Sequence, residues 1–417
     1  MTQANLLYAH SGGVTAVINA TAVAVIQAAR ARPDRIGKVF AAHRGILGVL
    51  AEDLIDTSVL DEAALQRLSL RPGGVFGSCR FDLPPSEARR VMDRLFEVFA
   101  AHRIGYFAYN GGNGSMDAVA RMGEAAAERG YPLVCVGVPK TVDNDIVGTD
   151  CCPGFGSAAK YLATSMLEAG LDIASMVGSR GSVFVMEVMG RNTGWLAAAT
   201  ALAAGGNADA PPHIVLVPEA KFDETAFLAE VRRVTERLGY CAITVGEGIK
   251  RPDGGLIMEK SRDGGYVQLG GAGSAIARMI HENLGYKHHW AIPDYLQRAG
   301  GHWLSATDHA QAIAVGEAAV DLALAGRNAC FPTIRRLAEA PYRWDVGIED
   351  AARVANLERT LPPEFVREDG LHVSSLACDY IRPLIEGEIV QPTKGGLPDY
   401  GAFPLHLIER RLPAWLK

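Results

Sequence analysis

Short apolar runs alternate along the chain with longer segments of helical periodicity. The apolar runs lie at residues 6–9, 104–109, 132–138, 183–188, 213–218 and 242–245. The helical segments lie at residues 16–29, 84–101, 116–127, 157–173 and 308–326. Apolar runs of this length between turn residues are typical of buried strands, and their alternation with helices indicates parallel sheets. The pattern therefore predicts an α/β protein.

The polar residues after the apolar run at 132–138 form a dense cluster on a predicted strand-end loop. Within six residues the chain places a lysine, a threonine, an amide and two acids: Lys140, Thr141, Asn144, Asp143 and Asp145. In open α/β sheets, ligands bind beyond the carboxyl ends of the strands. Two carboxylates on one short loop are costly unless a cation or a proton-donating substrate lies between them. The alternative is a polar turn in which Asp143 and Asp145 cap the next helix.

Two other predicted strands end in glycine-rich segments. Ser11, Gly12 and Gly13 follow the first apolar run, and residues 110–115 follow the run at 104–109. Glycine lets the backbone approach an anion closely, and a helix amino terminus favours negative charge. Because parallel strands bring such loops to one edge of the sheet, we expect three loops of the first 150 residues to form one phosphate-sized site.

Three further features have two interpretations each. The glycines at 73–77 lie beside Ser78 and Arg80, which suits either an anion site or a solvated loop. Residues 287–289 are Lys-His-His, which suits either phosphate binding or a solvated loop. Glu247 follows a predicted strand, where it either faces a site or caps a helix.

Composition narrows the class of protein. The chain has 417 residues, 48% of them hydrophobic and 21% charged, which predicts a large core and two or three domains. The net charge is −6, and the chain contains no block of like charges, so no nucleic acid or membrane partner is predicted. Seven cysteines without metal-binding spacing, and an amino terminus without a secretory signal, predict a cytoplasmic location.

Together these motifs resemble the 6-phosphofructokinase family, in family order over residues 11–326. The matching segments are 11–13 with 17–19, 77–80, 111–115, 139–145, 186–191, 246–248 and 295–298. The resemblance implies an α/β fold of two similar Rossmann-like domains, with largely parallel sheets facing across an active-site cleft. The expected boundaries are 1–150 plus about 299–326 for the phosphoryl-donor domain, and 151–298 for the sugar-phosphate domain. Residues 327–417 are expected to form a covering or subunit-contact segment.

The resemblance also implies roles for the matching residues. Asp143 is expected to take the proton from the C1 hydroxyl of fructose 6-phosphate, with Lys140 and Arg191 as further catalytic groups. The implied substrate-binding residues are Thr141, Met189, Gly190, Arg191, Glu247, Tyr295 and Arg298. The implied donor-binding residues are Gly13, Arg80, Gly114 and Lys140. Asn113 and Asp145 are expected to hold Mg²⁺, and the family resemblance implies a homo-oligomer, either a dimer or a tetramer.

The sequence departs from the family pattern at four positions. Asn113 stands where many members have a metal-binding aspartate, and Tyr295 where the bacterial ATP-using branch has a histidine. His289 falls near the position of a phosphate-binding arginine in that branch. Arg180 lies farther upstream of Met186 than the pattern expects. These differences bear on the metal geometry and on contacts from a neighbouring subunit.

The markers of the phosphoryl donor disagree. Lys140 and residues 17–19 resemble the pyrophosphate-using branch, and Ile46 falls where bacterial ATP enzymes stack adenine on a tyrosine. Gly114 points the other way, because the pyrophosphate branch carries an aspartate there that blocks the α-phosphate of ATP. Three markers against one predict Mg²⁺-dependent, reversible phosphoryl transfer from pyrophosphate to fructose 6-phosphate in glycolysis. The alternative is an ATP-dependent 6-phosphofructokinase.

Two other classes of protein fit the sequence less well. Intact Asp143 and Asp145 argue against a regulatory homologue that only binds sugar phosphate. A dinucleotide-binding oxidoreductase is disfavoured because the glycines at 12 and 13 do not form a G-x-G-x-x-G motif.

Overall fold

The computed structural model describes residues 3–81, 86–178, 182–258, 261–263, 266–355 and 357–415. Arg180, and the start of the helix predicted from residue 84, lie outside these ranges. The strands are β1 Ala4–His10, β2 Ile36–Ala42, β3 Leu54–Asp56, β4 Ile104–Gly111, β5 Val134–Pro139, β6 Ser182–Val188, β7 Ile214–Leu216, β8 Tyr240–Gly246, β9 Ser261–Asp263, β10 Tyr266–Gln268, β11 Lys287–Ala291, β12 Cys330–Glu339, β13 Tyr342–Asp350, β14 Thr393–Lys394 and β15 Leu397–Pro398.

The α-helices lie between these strands. They are α1 Ile18–Arg30, α2 Ile46–Ala51, α3 Glu62–Ser69, α4 Ala88–Ala101, α5 Asn113–Glu128, α6 Phe155–Ser175, α7 Trp195–Thr200, α8 Glu224–Leu238, α9 Ala272–Leu284, α10 Tyr295–Ala299, α11 Ala306–Leu324, α12 Ala351–Val354 and α13 Ser375–Ile381. Short 3₁₀ helices lie at Thr57–Val59, Ala201–Ala204, Gly301–Trp303, Pro363–Phe365 and Arg382–Ile385. Every predicted strand and helix has a counterpart, but α5 begins three residues earlier than predicted, so Gly114 lies in its first turn rather than in a loop.

The chain divides into two compact units. The first unit comprises Met1–Gly154, Ala306–Glu358 and Glu388–Lys417, and the second comprises Phe155–Ser305 and Arg359–Gly387. The chain therefore changes unit near residue 305, close to the predicted point, and twice more after it. The predicted α/β class with largely parallel sheets is confirmed in both units.

The first unit is built on a seven-stranded sheet of order β13-β12-β5-β4-β1-β2-β3. Strands β12, β5, β4, β1 and β2 run parallel, while β13 and β3 are antiparallel edge strands. The central strands are buried almost throughout, as expected where helices cover both faces of a sheet. Leu7, Phe107 and Cys135, on three neighbouring strands, belong to one hydrophobic core.

The second unit is built on a parallel four-stranded sheet of order β11-β6-β8-β7. Its core joins β6, β7 and β8 to the apolar faces of α8 and α9, through residues such as Val185, Ile243 and Phe227. Strand β11 is an edge strand with mostly exposed side chains. The histidine-rich stretch at 287–289 thus lies in a strand, not in a loop.

Residues 327–417 were expected to form a covering or subunit-contact segment, and their first part adds two strands to the sheet of the first unit. Strand β12 pairs in parallel with β5 at Cys330 and Val136, and β13 completes the edge of the same sheet. Phe331 is fully buried in the core of the first unit. Pro332 and the many charged residues of this segment hid the strand, because proline argues against a position inside a sheet.

Among the helices of the described ranges, none combines the length and the apolar character that crossing a membrane requires.

Candidate active site

Three strand ends of the first unit meet at one edge of its sheet. His10 of β1 is in register with Asn110 of β4, which is in register with Val138 of β5. The loops that follow these strands therefore begin side by side, as the sequence predicted. Two hydrogen bonds tie them together: the Ser11 amide donates to the Asn110 carbonyl at 2.8 Å, and the Lys140 amide to the Gly111 carbonyl at 3.0 Å.

The side chain of Lys140 crosses this edge and is only 4% exposed. Its ammonium donates to the carbonyl of Ser11 at 2.8 Å and to the carbonyl of Gly13. A Cβ at Gly12 would lie 3.8 Å from the ammonium nitrogen. The structure thus brings together two of the predicted donor-binding residues, Lys140 and Gly13. It places the Lys140 ammonium against the loop of Ser11, Gly12 and Gly13, here called the first glycine loop.

The first glycine loop differs from a simple phosphate cradle. The Gly12 amide donates to the Cys79 carbonyl at 2.8 Å, and the Gly12 carbonyl accepts from the Ser78 hydroxyl at 2.7 Å. These backbone groups are therefore engaged within the protein. The left-handed φ of +70° at Gly12 is the reason that glycine suits this turn. Helix α1 begins only at Ile18, so its first turn does not follow directly on the glycines.

Gly114 lies exposed in the first turn of α5, which starts at the carboxyl end of β4. A Cβ built there would meet no atom within 4 Å. A helix amino terminus attracts anions through its amide hydrogens and dipole. The space beside Gly114 is therefore both open and favourable to a phosphate.

The acidic loop from Lys140 to Gly154 contains no helix, since α6 begins at Phe155. The alternative in which Asp143 and Asp145 cap the next helix is therefore wrong. Asn144 between them is fully buried with a left-handed φ of +54°. Its side-chain oxygen accepts from the Cys152 amide at 2.9 Å, which holds the loop in place. The Asp143 amide donates to the Thr141 hydroxyl at 3.1 Å.

Asn113 and Asp145 face each other, as their predicted shared role requires. The Asn113 side-chain amide donates to the Asp145 carboxylate at 2.9 Å and to the Asp145 carbonyl at 3.1 Å. The side-chain oxygen of Asn113 and the second carboxylate oxygen of Asp145 are buried and have no hydrogen-bond partner. Two buried oxygens without partners fit a hard divalent cation, which binds carboxylate and amide oxygens.

Burial raises the pKa of Asp145 above its ordinary value, and the nearby Glu358 carboxylate raises it further. Hydrogen bonds from Thr141 and Asn113 oppose this shift. A cation beside Asp145 would favour its ionised form. No group of three or more His, Cys, Asp or Glu side chains suited to a metal occurs among the residues that the structure describes. A cation held by Asn113 and Asp145 would complete its coordination with water or substrate oxygens, as Mg²⁺ sites usually do.

Strand ends of the second unit gather a second set of predicted residues. The Glu247 amide after β8 donates to the Val188 carbonyl at the end of β6, at 2.9 Å. The Glu247 carboxylate accepts from the Gly190 amide at 3.3 Å. Burial raises the pKa of Glu247, whereas the Gly190 hydrogen bond and Arg191 lower it. Gly190 and Glu247 are thus brought together as predicted, and Glu247 does not cap a helix.

Helix α10 lies against the same strand end. The Met189 amide donates to the Gln297 side-chain oxygen at 3.1 Å, and the Gln297 side chain donates to the Asp294 carbonyl at 3.0 Å. The Arg298 guanidinium lies 4.0 Å from the centre of the Tyr295 ring, which is 64% exposed. The helix that carries Tyr295 and Arg298 is therefore bonded to Met189 through Gln297, and the arginine lies over an aromatic face.

Two residues that fix the sites were not assigned a role from the sequence. Gln297 is buried inside the 295–298 motif and fastens α10 to Met189. Asn144 holds the turn between the two acids. For Asn144 a signal was present, because asparagine is the non-glycine residue that most readily adopts a left-handed φ. The contact of Gln297 depends on tertiary structure alone.

Comparison with known proteins identifies close relatives along the whole chain. The phosphofructokinase family model matches residues 5–323. A protein of Halomonas elongata named pyrophosphate–fructose 6-phosphate 1-phosphotransferase is 50% identical over 416 residues, covering 99% of both chains. A protein of the same name from Xanthomonas campestris is 50% identical over 420 residues, covering 100% of both.

A solved structure gives the same picture. The pyrophosphate-dependent phosphofructokinase of Nitrosospira multiformis is 47% identical, with a TM-score of 0.92, and the match covers 99% of each chain.

Proposed function

The chain belongs to the phosphofructokinase family, and from that premise we propose that it transfers a phosphoryl group from pyrophosphate to fructose 6-phosphate. The products are fructose 1,6-bisphosphate and phosphate. The observation that carries the choice of donor is the buried ammonium of Lys140 beneath the first glycine loop. A compact, fixed charge suits a small, highly charged leaving group. The names of the relatives at 50% identity agree with this donor.

ATP is the second candidate donor because of the open space at Gly114. That space admits a larger donor but supplies no contact to an adenine ring. Ile46, which the family resemblance places near the adenine, is 4% exposed and belongs to the core of the first unit. An aliphatic residue committed to the core gives no stacking surface to a nucleotide. Pyrophosphate therefore remains the proposed donor.

Enzymes of this family generally need a divalent metal, and here we assign Mg²⁺ to Asn113 and Asp145. Their two buried oxygens without partners support this assignment. When bound, the ion would neutralise charge on the phosphate oxygens, which phosphoryl transfer requires. Gly13, Arg80, Gly114 and Lys140 would contact the remaining donor oxygens.

Asp143 acts as the general base of the proposed reaction. Phosphoryl transfer depends mainly on positioning and charge stabilisation, so the protein has to orient the sugar hydroxyl and accept its proton. The Thr141 contact and the buried Asn144 fix the backbone on both sides of Asp143. We assign Lys140 to stabilise the charge of the transferred group.

The second unit binds the sugar phosphate in this proposal. The residues of this unit assigned to the sugar phosphate are Met189, Gly190, Arg191, Glu247, Tyr295 and Arg298. Arginine binds phosphate through two parallel hydrogen bonds, which favours Arg191 and Arg298 for the 6-phosphate. Glu247 accepts from the Gly190 amide and has further acceptor capacity for a sugar hydroxyl.

A coupled assay on the purified protein tests the proposal. Fructose 6-phosphate and Mg²⁺ are supplied with pyrophosphate or with ATP in parallel, and formation of fructose 1,6-bisphosphate is measured. We expect turnover with pyrophosphate and little or none with ATP. Turnover with ATP alone would show that the open space at Gly114 outweighs Lys140. No turnover with either donor would contradict the proposed function.

A further inference from the structure

The segment from Arg71 to Arg80, here called the arginine loop, leads to the exposed Arg80 at the proposed donor site. It has no regular secondary structure, so its shape depends on contacts with other parts of the first unit. Gly77 has a left-handed φ of +75°, and the Gly77 amide closes a turn on the Gly74 carbonyl at 3.0 Å. What holds this loop therefore determines where Arg80 lies.

Asn19 in the first turn of α1 is fully buried and uses its whole side chain on the arginine loop. Its amide nitrogen donates to the carbonyls of Arg71 at 2.7 Å and Gly73 at 2.6 Å. Its oxygen accepts from the Val75 amide at 3.0 Å. Asparagine offers both donors and an acceptor on one short planar group, which these three backbone partners require.

His10 at the end of β1 holds the next part of the loop. The Nδ1 atom of its ring lies 3.3 Å from the Gly77 carbonyl oxygen. Because a carbonyl oxygen can only accept a hydrogen bond, Nδ1 carries the proton. The ring packs edge-on to Tyr8 and beside Phe76, both fully buried. A Cβ at Gly74 would lie 2.8 Å from Nδ1, so the backbone is pressed against the ring. Burial, and next the charge of Lys140, lower the pKa of His10 to about 3, so it is neutral.

We infer that Asn19 and His10 are positioning residues for the phosphoryl donor, which fasten the arginine loop to α1 and β1 and thereby hold Arg80 in place. The loop is further tied to the first glycine loop through Cys79 and Ser78, both bonded to Gly12. The arginine loop and the loop of residues 11–13 are thus bonded directly to each other. This inference rests on the proposed donor role of Arg80.

Loss of the Asn19 side chain should act on the donor and not on the sugar. Asn19→Ala leaves two half-buried carbonyls and one amide without their partner, so we expect the loop to shift. Misplacement of a binding group by about 1 Å costs up to roughly 100-fold in rate. We expect kcat/KM for pyrophosphate to fall roughly tenfold or more, and KM for fructose 6-phosphate to change less than about twofold.

The decisive experiment is a double-mutant cycle of Asn19→Ala and Arg80→Ala, read by steady-state kinetics with pyrophosphate. If Asn19 acts through Arg80, Asn19→Ala should have little further effect once Arg80 is removed. Asn5→Ala is the matched control. Asn5 is also buried in the first unit and also bonds two backbone groups, the His102 carbonyl and the Lys38 amide, but it lies at the other end of β1. It should lower the melting temperature without changing KM for pyrophosphate.

The outcomes separate the inference from the proposed function. If Arg80→Ala leaves kcat and KM for pyrophosphate unchanged, the proposed donor role of Arg80 is wrong, and so is the positioning role of Asn19 and His10 that depends on it. If Arg80→Ala lowers kcat/KM for pyrophosphate and Asn19→Ala lowers it further by its full single-mutant factor, the donor role of Arg80 stands but the positioning role of Asn19 is wrong. The same conclusion follows if Asn5→Ala raises KM for pyrophosphate as much as Asn19→Ala does. Should Asn19→Ala not fold, His10→Leu against His10→Asn repeats the test, because asparagine restores a donor toward the Gly77 carbonyl.

Discussion

The charge of Lys140 is held by the protein before any substrate binds. Its ammonium is buried against backbone carbonyls of the first glycine loop, which fix its position more firmly than a solvated lysine. Gly114, by contrast, leaves open space in the first turn of α5. The two residues therefore act differently on the donor. Lys140 supplies a charge, whereas Gly114 only leaves room for a larger donor.

Replacement of Lys140 should remove pyrophosphate activity first. Lys140→Gly deletes a desolvated charge, which we expect to cost several kcal/mol of transition-state stabilisation, or roughly 100-fold to 1,000-fold in turnover. Gly114→Asp should be tolerated with pyrophosphate, because a Cβ there meets no neighbouring atom. The coupled assay with both donors measures each variant. Full pyrophosphate activity in Lys140→Gly would show that the charge is not used.

Asp143 should be needed for turnover and not for binding. Asp143→Asn keeps the size of the side chain and removes its basicity, so turnover should fall roughly 10²–10⁴-fold. Binding of fructose 6-phosphate, measured by calorimetry, should remain nearly unchanged. A change in turnover of less than about threefold would assign the base to another residue.

Arg298 should affect the sugar phosphate more than the donor. Its guanidinium lies over the Tyr295 ring, and a guanidinium in contact with an aromatic face can still bind a phosphate through its in-plane N–H groups. Arg298→Ala should raise KM for fructose 6-phosphate at least roughly tenfold, as expected for loss of a charge-assisted bidentate contact. Arg233→Ala, which breaks an exposed pair with Glu230 on α8, is the control and should change neither KM. A larger effect on KM for pyrophosphate would reverse the assignment.

Several contacts anchor the carboxyl-terminal segment to the rest of the first unit: the Ile408 amide donates to the Leu54 carbonyl, Arg410 pairs with Asp53, and Glu52 accepts two backbone amides. Glu52, which follows α2 with a left-handed φ of +61°, is fully buried. Its carboxylate accepts from the amides of Arg411 at 2.6 Å and Leu412 at 3.0 Å, and lies 2.5 Å from the His102 ring. Although burial alone would raise the pKa of Glu52, these hydrogen bonds lower it.

Removal of Glu52 should loosen this segment at Arg411 and Leu412, whose amides lose their acceptor. Glu52→Ala leaves the two amides and the His102 ring without their acceptor, which should cost about 2–4 kcal/mol of unfolding free energy. Because the folded-state pKa is lowered, the stabilisation is present above the ordinary glutamate pKa and is lost as the pH falls through the lowered value. Hydrogen exchange at residues 408–412 measures the loosening. Glu409→Ala, an exposed acid of the same segment, should exchange like the wild type.

The second unit exposes apolar side chains on two helices that pack together, α6 and α10. Leu171 and Leu296 are 64% and 63% exposed, and Met176 directly after α6 is 64% exposed. Exposed apolar side chains become buried where protein subunits meet. They support the proposal that the chain forms a homo-oligomer.

Light scattering after size-exclusion chromatography tests the assembly. The wild type should elute as a dimer or tetramer, and Leu171→Arg should shift it toward the monomer because a charge would be buried at the contact. Leu397→Arg, at a 71% exposed position in the first unit, is the control and should not change the mass. A monomeric wild type at micromolar concentration would contradict the proposal.

Local patterns in the sequence determined the order of strands and helices, and hence which polar loops follow which strands. Apolar runs specify buried strands, and glycines, acids and Lys140 after them specify a site at the sheet edge. These signals are local because each depends on neighbouring residues. For the same reason the sequence was sufficient to identify the family and the acidic loop.

Contacts between distant residues were decided by the folded chain. Strand β12 joined β5 across almost 200 residues, and the Gly12 amide found the Cys79 carbonyl instead of remaining available to a phosphate. Asn19 likewise found its partners in the arginine loop, more than 50 residues away. No periodicity reports such pairings, because each buried polar group takes whichever partner the packing of the whole unit brings within reach.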